Sequence, residues 1–304
     1  MSSIFGIGQI LFSSLCLSSM SFIIKDLENV SSLNLLLYRS IIQIIVCLIL
    51  SVVTRVNLVG DKSAQKLLHL RGLSGGCAVL LYFMTLKQIP VSTATALFMT
   101  TPLYTIFLAR WYLKEKINSL KIFAVVVVFF GCIIVAHPTS WARNYSDLLG
   151  SSLAMTEAAL AAISVTIIKL IGNKAHYIQL VFYLSVYMFA IAIVLNAYYG
   201  FTFQPFNFQI LCIGVLASIG QLFVNSGLQK VTAVVGMTVR CSEVLFAFII
   251  GGILKEPISL LSIVGAFFIV AGSYLTAKSP QSIDELYKEY DSDNEEYEPL
   301  KVNA

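Results

Sequence analysis

Apolar residues in this chain do not alternate with polar ones; they gather in stretches about as long as a bilayer is thick. Such runs cover residues 4 to 24, 33 to 53, 67 to 87, 91 to 112, 117 to 137, 148 to 170, 178 to 199, 206 to 228, 232 to 254 and 257 to 277. A helix needs about 20 apolar residues to cross hydrocarbon, and it satisfies its own backbone there, whereas barrel strands are about half that length. The pattern therefore predicts ten transmembrane helices, although Pro90 and Pro257 alone separate neighbouring runs. Met1-Ser2-Ser3 carries no positive side chain, and the first basic residue, Lys25, follows the first run. That polarity is wrong for a secretory leader, so the run is read as a genuine span.

Composition removes the soluble alternatives. Of 304 residues, 58% are hydrophobic and 12% charged, with a mean hydropathy of +0.84. A water-soluble domain carries about twice that share of charge. Ten spans leave only short loops, with no room for a soluble catalytic domain. Cys16, Cys47, Cys77, Cys132, Cys212 and Cys241 all lie within apolar runs, which reads as core-filling thiols. His69, His137 and His176 stand singly near run ends without ligand-spaced neighbours, so neither a metal site nor a cofactor is expected.

Basic residues orient the stack, because cytoplasmic loops are enriched in Lys and Arg. With the amino terminus inside, eleven basic residues fall on the cytosolic side: Arg55, Lys62, Lys66, Arg110, Lys114, Lys116, Lys121, Lys169, Lys174, Lys230 and Lys278. Four, Lys25, Lys87, Arg143 and Lys255, fall outside. Both termini are thus expected in the cytosol, in the plasma membrane or an endomembrane. The glycosylation sequons at Asn29 and Asn144 fall in outside loops on this reading.

An internal repeat organises the ten runs. Leu113-Lys114-Glu115-Lys116-Ile117 returns as Leu254-Lys255-Glu256-Pro257-Ile258, a shift of 141, and the same shift pairs Phe107 with Phe248 and Gly131 with Gly272. Upstream the shift is 142, pairing Gly72 with Gly214, Leu86 with Leu228 and Gly8 with Gly150. Five spans per copy is an odd number, so the copies would enter the membrane from opposite sides, as in carriers that bind solute between inverted repeats. The expected organisation is residues 1–137 as the first five-helix repeat, 138–146 as an outside linker, 147–279 as the second repeat, and 280–304 as a tail.

Several segments carry a family resemblance. Tyr38-Arg39-Ser40, Leu70-Arg71-Gly72, Ala94 with Pro102, Leu113-Lys114-Glu115-Lys116, Gly131, Leu228-Gln229-Lys230 and Glu243-Val244-Leu245-Phe246-Ala247-Phe248 resemble the EamA-type branch of the drug/metabolite transporter superfamily. Within it the chain is most similar to the G subfamily of solute carrier family 35. The resemblance covers about residues 4 to 277. It implies an all-α integral membrane fold of two inverted five-helix EamA-like repeats that moves a small organic solute. The substrate does not carry over: there is no nucleotide-sugar carrier pattern and no Lys-Arg pair in span nine.

Ionised groups at mid-bilayer cost about 2.5 to 3.5 kcal/mol on insertion scales and need a partner or a wet cavity. Arg240 and Glu243 sit three residues apart near the middle of span nine, on one helix face with Gly236 and Ala247. They read as solute-binding charges, with an ion pair that merely locks span nine to its neighbours as the competing reading. Glu157, central in span six, has no basic residue within a turn. Either a tertiary partner neutralises it or it is protonated, which suits a carboxylate that binds and releases protons but equally one that only hydrogen-bonds another helix. Gln221 and Asn225 continue a polar stripe from Gly214 and Ser218 in span eight, with Tyr82 offering a hydroxyl from span three. Thr93, Thr100 and Tyr104 share a face of span four, which Pro102 should kink, and helix-packing contacts compete with a solute role for them. Gln9 in span one is a further inward candidate. Arg39 and Arg71 lie within about two turns of their span ends and are read as interfacial anchors or gates.

The last 24 residues hold eight of the 16 acids and only two of the 20 basic residues, which leaves 18 basic against 8 acidic side chains in the body. That acidic tail, 280–304, has no apolar period and is expected to be disordered. Tyr297 and Leu300 within Tyr297-Glu298-Pro299-Leu300 match a tyrosine-based sorting signal. The partners expected are a small-molecule solute, the lipid bilayer, a coupling proton and a sorting adaptor on the tail, and no nucleic acid. The leading function is a secondary carrier working by alternating access, through exchange or proton coupling, since no phosphate-binding loop for ATP is present. A membrane scaffold or regulatory partner acting through the tail is the alternative. An embedded enzyme is disfavoured for want of a paired-aspartate, His-Glu-x-x-His or Ser/His constellation within the spans.

Overall fold

A computed structural model describes residues 2–27, 30–89, 91–115, 117–136, 145–200, 205–253 and 260–277. The sequons at Asn29 and Asn144, the second Leu-Lys-Glu copy, and the tail with Tyr297 and Leu300 lie outside the described residues. Within them the secondary structure is helical: α1 (Ser2–Asp26), α2 (Ser32–Thr54), α3 (Lys62–Gln88), α4 (Val91–Phe98), α5 (Thr101–Trp111), α6 (Ser119–Ala136), α7 (Tyr145–Ile171), α8 (Tyr177–Tyr199), α9 (Phe208–Lys230), α10 (Ala233–Arg240), α11 (Ser242–Ile253) and α12 (Leu260–Ala277). A single 3-10 turn, Gly172–Lys174, links α7 to α8.

Helix starts follow local chemistry. Ser31 accepts from the Asn34 amide at 3.2 Å, and Asn207 from the Ile210 amide at 2.8 Å, each meeting a donor the first turn leaves open. His176 and Gln179 cap α8 reciprocally: the Ile178 amide donates to His176 Nδ1 at 3.4 Å and the His176 amide to Gln179 Oε1 at 2.8 Å.

The ten apolar runs do not form ten continuous helices. The fourth is divided into α4 and α5, and the ninth into α10 and α11. Proline in the first turn of α5, Pro102, accounts for the first interruption, because it cannot donate to the preceding turn. The second has no proline; the chain passes through Cys241, whose amide reaches back to the Thr238 carbonyl at 3.1 Å. Both leading pieces are eight residues long. Val91–Phe98 corresponds to Ala233–Arg240 at a shift of 142, and Thr101 to Ser242 at 141. The slip in repeat register therefore sits at the interruption itself, where Met99 and Thr100 in one half stand against Cys241 alone in the other.

Packing between the halves is reciprocal. Helix α6 packs on α12 and α2 on α8, while α1 packs on α9 as α3 packs on α7, and α2 meets α9 as α3 meets α8. Each cross-half pair thus has its counterpart with the roles exchanged, the signature of a two-fold arrangement. The repeat-related glycines lie at these crossings. A Cβ on Gly131 would come within 2.7 Å of the Gly265 carbonyl oxygen, and one on Gly272 within 2.7 Å of the Ala124 carbonyl oxygen. Such close backbone approach is how helices associate where lipid supplies no hydrophobic drive.

Among the described residues, seven helical segments are long and apolar enough to cross a membrane, with α10 and α11 taken together, and Ser119–Gly131 and Ile263–Thr276 are shorter apolar helices. Large apolar side chains cover the outside, and aromatic residues mark helix ends: Trp111 is 84% exposed and Tyr198 81%. That distribution belongs to an integral multi-pass membrane protein rather than a water-facing surface.

Candidate functional site

The interrupted helices meet at a cavity of about 70 Å³ bounded by both halves. Arg240, Glu243, Glu157, Gln221, Asn225 and Tyr82 line it. Thr100 and Tyr104 do not. The shared face expected for Thr93, Thr100 and Tyr104 requires a continuous helix, and the interruption at Met99 and Thr100 removes it. Thr100 is buried within the link, Tyr104 is half-buried on α5, and Gln9 turns to the end of α9, where its Oε1 accepts from Lys230 at 2.8 Å.

Backbone geometry positions the charges of the second half. Arg240 is the last residue of α10 and Glu243 lies in the first turn of α11. A helix carboxyl end carries partial negative charge and an amino end partial positive charge, so each half-helix suits the side chain it presents. Nε of Arg240 lies 3.5 Å from Oε2 of Glu243, an ion-pair contact too long and misaligned for a hydrogen bond. The Arg240 guanidinium stacks 5.0 Å from the ring centre of Phe98, its counterpart at the end of α4.

The remaining walls are polar and incompletely satisfied. Glu157 is 3% exposed on α7, and its Oε2 has no hydrogen-bond partner. On α9, the Asn225 amide donates to the Gln221 carbonyl oxygen at 2.6 Å and to its Oε1 at 3.3 Å, which leaves Asn225 Oδ1 without a partner. Tyr82 shares a hydrogen bond with the Ser21 hydroxyl of α1. Buried polar atoms left open are costly, and their convergence on one cavity suits a polar solute or bound water.

Arg39 and Arg71 correct the reading from sequence. Both were expected to reach the interface, but they are 2% and 5% exposed and line the same cavity. Arg39 stacks 5.5 Å from the ring centre of Phe83, and Arg71 folds over Gly75, where a Cβ would collide with its guanidinium. Depth counted in helical turns missed them, because neighbouring helices wrap over α2 and α3. The Arg71-x-x-x-Gly75 spacing was the available signal. Five cysteines, Cys16, Cys47, Cys77, Cys212 and Cys241, are free thiols, and among the described residues no cluster of His, Cys, Asp or Glu could hold a metal ion.

Comparison with known proteins follows this architecture. The model of the EamA-like transporter family matches residues 4–136 and again 148–278. Solute carrier family 35 member G1 of Mus musculus is 24% identical over 257 residues, 80% of this chain and 70% of the relative. The Homo sapiens protein of that name is 23% identical over 285 residues, 90% and 78% of the two chains. The pseudopaline exporter CntI of Pseudomonas aeruginosa strain UCBPP-PA14 is 23% identical over 245 residues, 79% and 84%. These relatives are named as transporters or exporters, not enzymes. One solved crystal structure superposes with a TM-score of 0.71 at 14% identity, covering 90% of this chain and 95% of that one.

Proposed function

The chain belongs to the EamA-like transporter family, and on that premise we propose that it is a secondary carrier moving a small organic solute by alternating access. Ten spans, with the α4–α5 and α10–α11 segments each crossing once, form two inverted five-helix halves with both termini in the cytosol. The observation that carries this reading is the meeting of two repeat-related interrupted helices at a cavity lined by buried, incompletely partnered charges. Discontinuous helices in corresponding positions of two halves are the pattern of midplane solute sites.

In this mechanism Arg240 holds the polar or anionic part of the solute, and Glu243 limits its excess charge. Gln221, Asn225 and Tyr82 orient the solute from adjacent walls. Glu157 takes and releases a proton as access alternates, facing Arg39, Arg71, Arg240, Glu243 and the Tyr82 hydroxyl across the cavity. Protonation removes a buried negative charge, so it changes which solute charge the cavity accepts. The solute's own side of entry exchanges when the halves exchange roles.

The test is uptake of organic anions, amines and nucleosides into proteoliposomes under two opposite pH gradients. At least one solute should be concentrated in a pH-dependent way by the parent. Glu157→Gln should insert normally and transport at a rate indifferent to the gradient. Flux by Glu157→Gln that still follows pH like the parent removes the proton-coupling role, and no uptake of any solute class by the parent removes the carrier.

A further inference from the structure

We infer that Arg39 and Arg71 form the subsite that takes the solute's acidic group, which makes the transported class a small organic anion bearing one carboxylate or an equivalent group. The inference rests on the carrier reading and names its substrate class. Both guanidiniums come from the first half, Arg39 from α2 and Arg71 from α3, and both are buried. A guanidinium stays charged in a protein, so it cannot escape the cost of burial by losing a proton, as a lysine can. Among the described residues neither takes part in an ion pair, and Nε of Arg39 with Nε and Nη1 of Arg71 have no hydrogen-bond partners. Unpaired buried charge is strongly unfavourable, and the missing partner is an anion.

Charge counting around the cavity agrees. Arg39, Arg71 and Arg240 face Glu157 and Glu243, three cations against two carboxylates. Glu243 is already engaged with Arg240 at 3.5 Å, so Arg240 keeps the polar part of the solute and the acidic group goes to Arg39 and Arg71. With Glu157 ionised one positive charge is left over and with it protonated two, so an anion is favoured in either state. A solute ammonium would add to the surplus, and a neutral solute would leave it unchanged. Arg39 and Arg71 both belong to the first half and both carboxylates to the second. Gly75 allows the Arg71 guanidinium to fold over it, and the forked donors of a guanidinium suit the paired oxygens of a carboxylate.

Binding to the purified full chain in detergent, measured by calorimetric titration, tests this with probes matched in size and differing in charge: butyrate, butyramide and butylamine, with inorganic phosphate as a fourth. Butyrate should bind at least about tenfold more tightly than the other three, the scale of one charge-assisted hydrogen bond. Arg39→Gln and Arg71→Gln should each weaken butyrate binding by about tenfold or more and leave butyramide unaffected, with Arg→Lys at either position intermediate. Butyramide or butylamine binding as well as butyrate overturns the assignment. So does phosphate binding as tightly, which would make the subsite one for inorganic anions, or butyrate affinity unchanged in both Gln variants. Should a Gln variant fail to fold, the comparison of the four probes on the parent still decides. Butyrate binding without flux in vesicles overturns the carrier and leaves the subsite standing; flux indifferent to both substitutions does the reverse.

Discussion

The two helix interruptions occupy equivalent places in the repeat and are built from opposite materials. The first runs Phe98-Met99-Thr100-Thr101-Pro102, with an aromatic ring, a thioether, two hydroxyls and a proline. The Thr101 hydroxyl there donates to the Phe98 carbonyl oxygen. The second runs Arg240-Cys241-Ser242-Glu243, and places a guanidinium where the first has a phenyl ring and a carboxylate where the first has proline. Proline breaks a helix by covalent geometry, and the first interruption needs nothing further. The second has no such device, and opposite charges on two abutting half-helix ends favour the divided form there. One interruption is thus structural by construction, while the other places two charges on the cavity proposed to hold the solute.

The largest effect that would break this contrast is on flux. Arg240→Ala should reduce transport to background in proteoliposomes while the protein inserts normally, and Glu243→Ala in the same chain should not restore it. Restoration by the double substitution would mean that the pair only locks the helix, and the two interruptions would be alike in function.

A smaller effect, on stability, sharpens the contrast. Glu243→Ala leaves Arg240, whose side chain is 15% exposed, without its partner and should cost more than about 1 kcal/mol. Thr100→Ala, at the first interruption, removes a buried hydroxyl whose Oγ1 has no hydrogen-bond partner, and should change stability by less than about 1 kcal/mol. Denaturation in detergent reads both, and equal costs would erase the distinction.

The smallest effect lies away from both interruptions and sets the scale of an ordinary helix end. Burial lowers the pKa of His176, and the cap it provides needs a neutral Nδ1 to accept from Ile178. The unfolded chain binds the proton more readily, so this contribution is full above the unfolded value of about 6.5 and is lost as pH falls through the lower folded one. His176→Asn, which caps without titrating, should flatten that segment of the stability curve by about 0.5 to 1 kcal/mol, measured as melting temperature between pH 5 and 8.

Much of the architecture was legible in the residues. Run length and hydropathy expose the helices, and the pairs Gly72 with Gly214 and Gly131 with Gly272 mark backbone crossings. Residues whose position along a helix determines their role, such as Glu157 and Arg240, can be singled out because mid-span charge is costly. Arg39 and Arg71 were harder, because their burial is a tertiary fact, with neighbouring helices packed over α2 and α3; only the Gly75 four residues after Arg71 left a local trace. The division of the ninth run was equally hidden in composition. Its trace was the change in repeat shift from 142 to 141, which has to fall somewhere between residues 86 and 107, the interval that contains Pro102.

That one-residue difference bears on where a carrier rests. If the halves were identical, exchanging their roles would return the same molecule, and the inward-facing and outward-facing forms would have equal energy. Met99 and Thr100 against Cys241, and Pro102 against Glu243, lift that degeneracy. On the proposed alternating-access mechanism these two short links are thus one place where the empty protein's preferred orientation is set, and substitutions at Met99, Thr100 or Cys241 should shift the resting population.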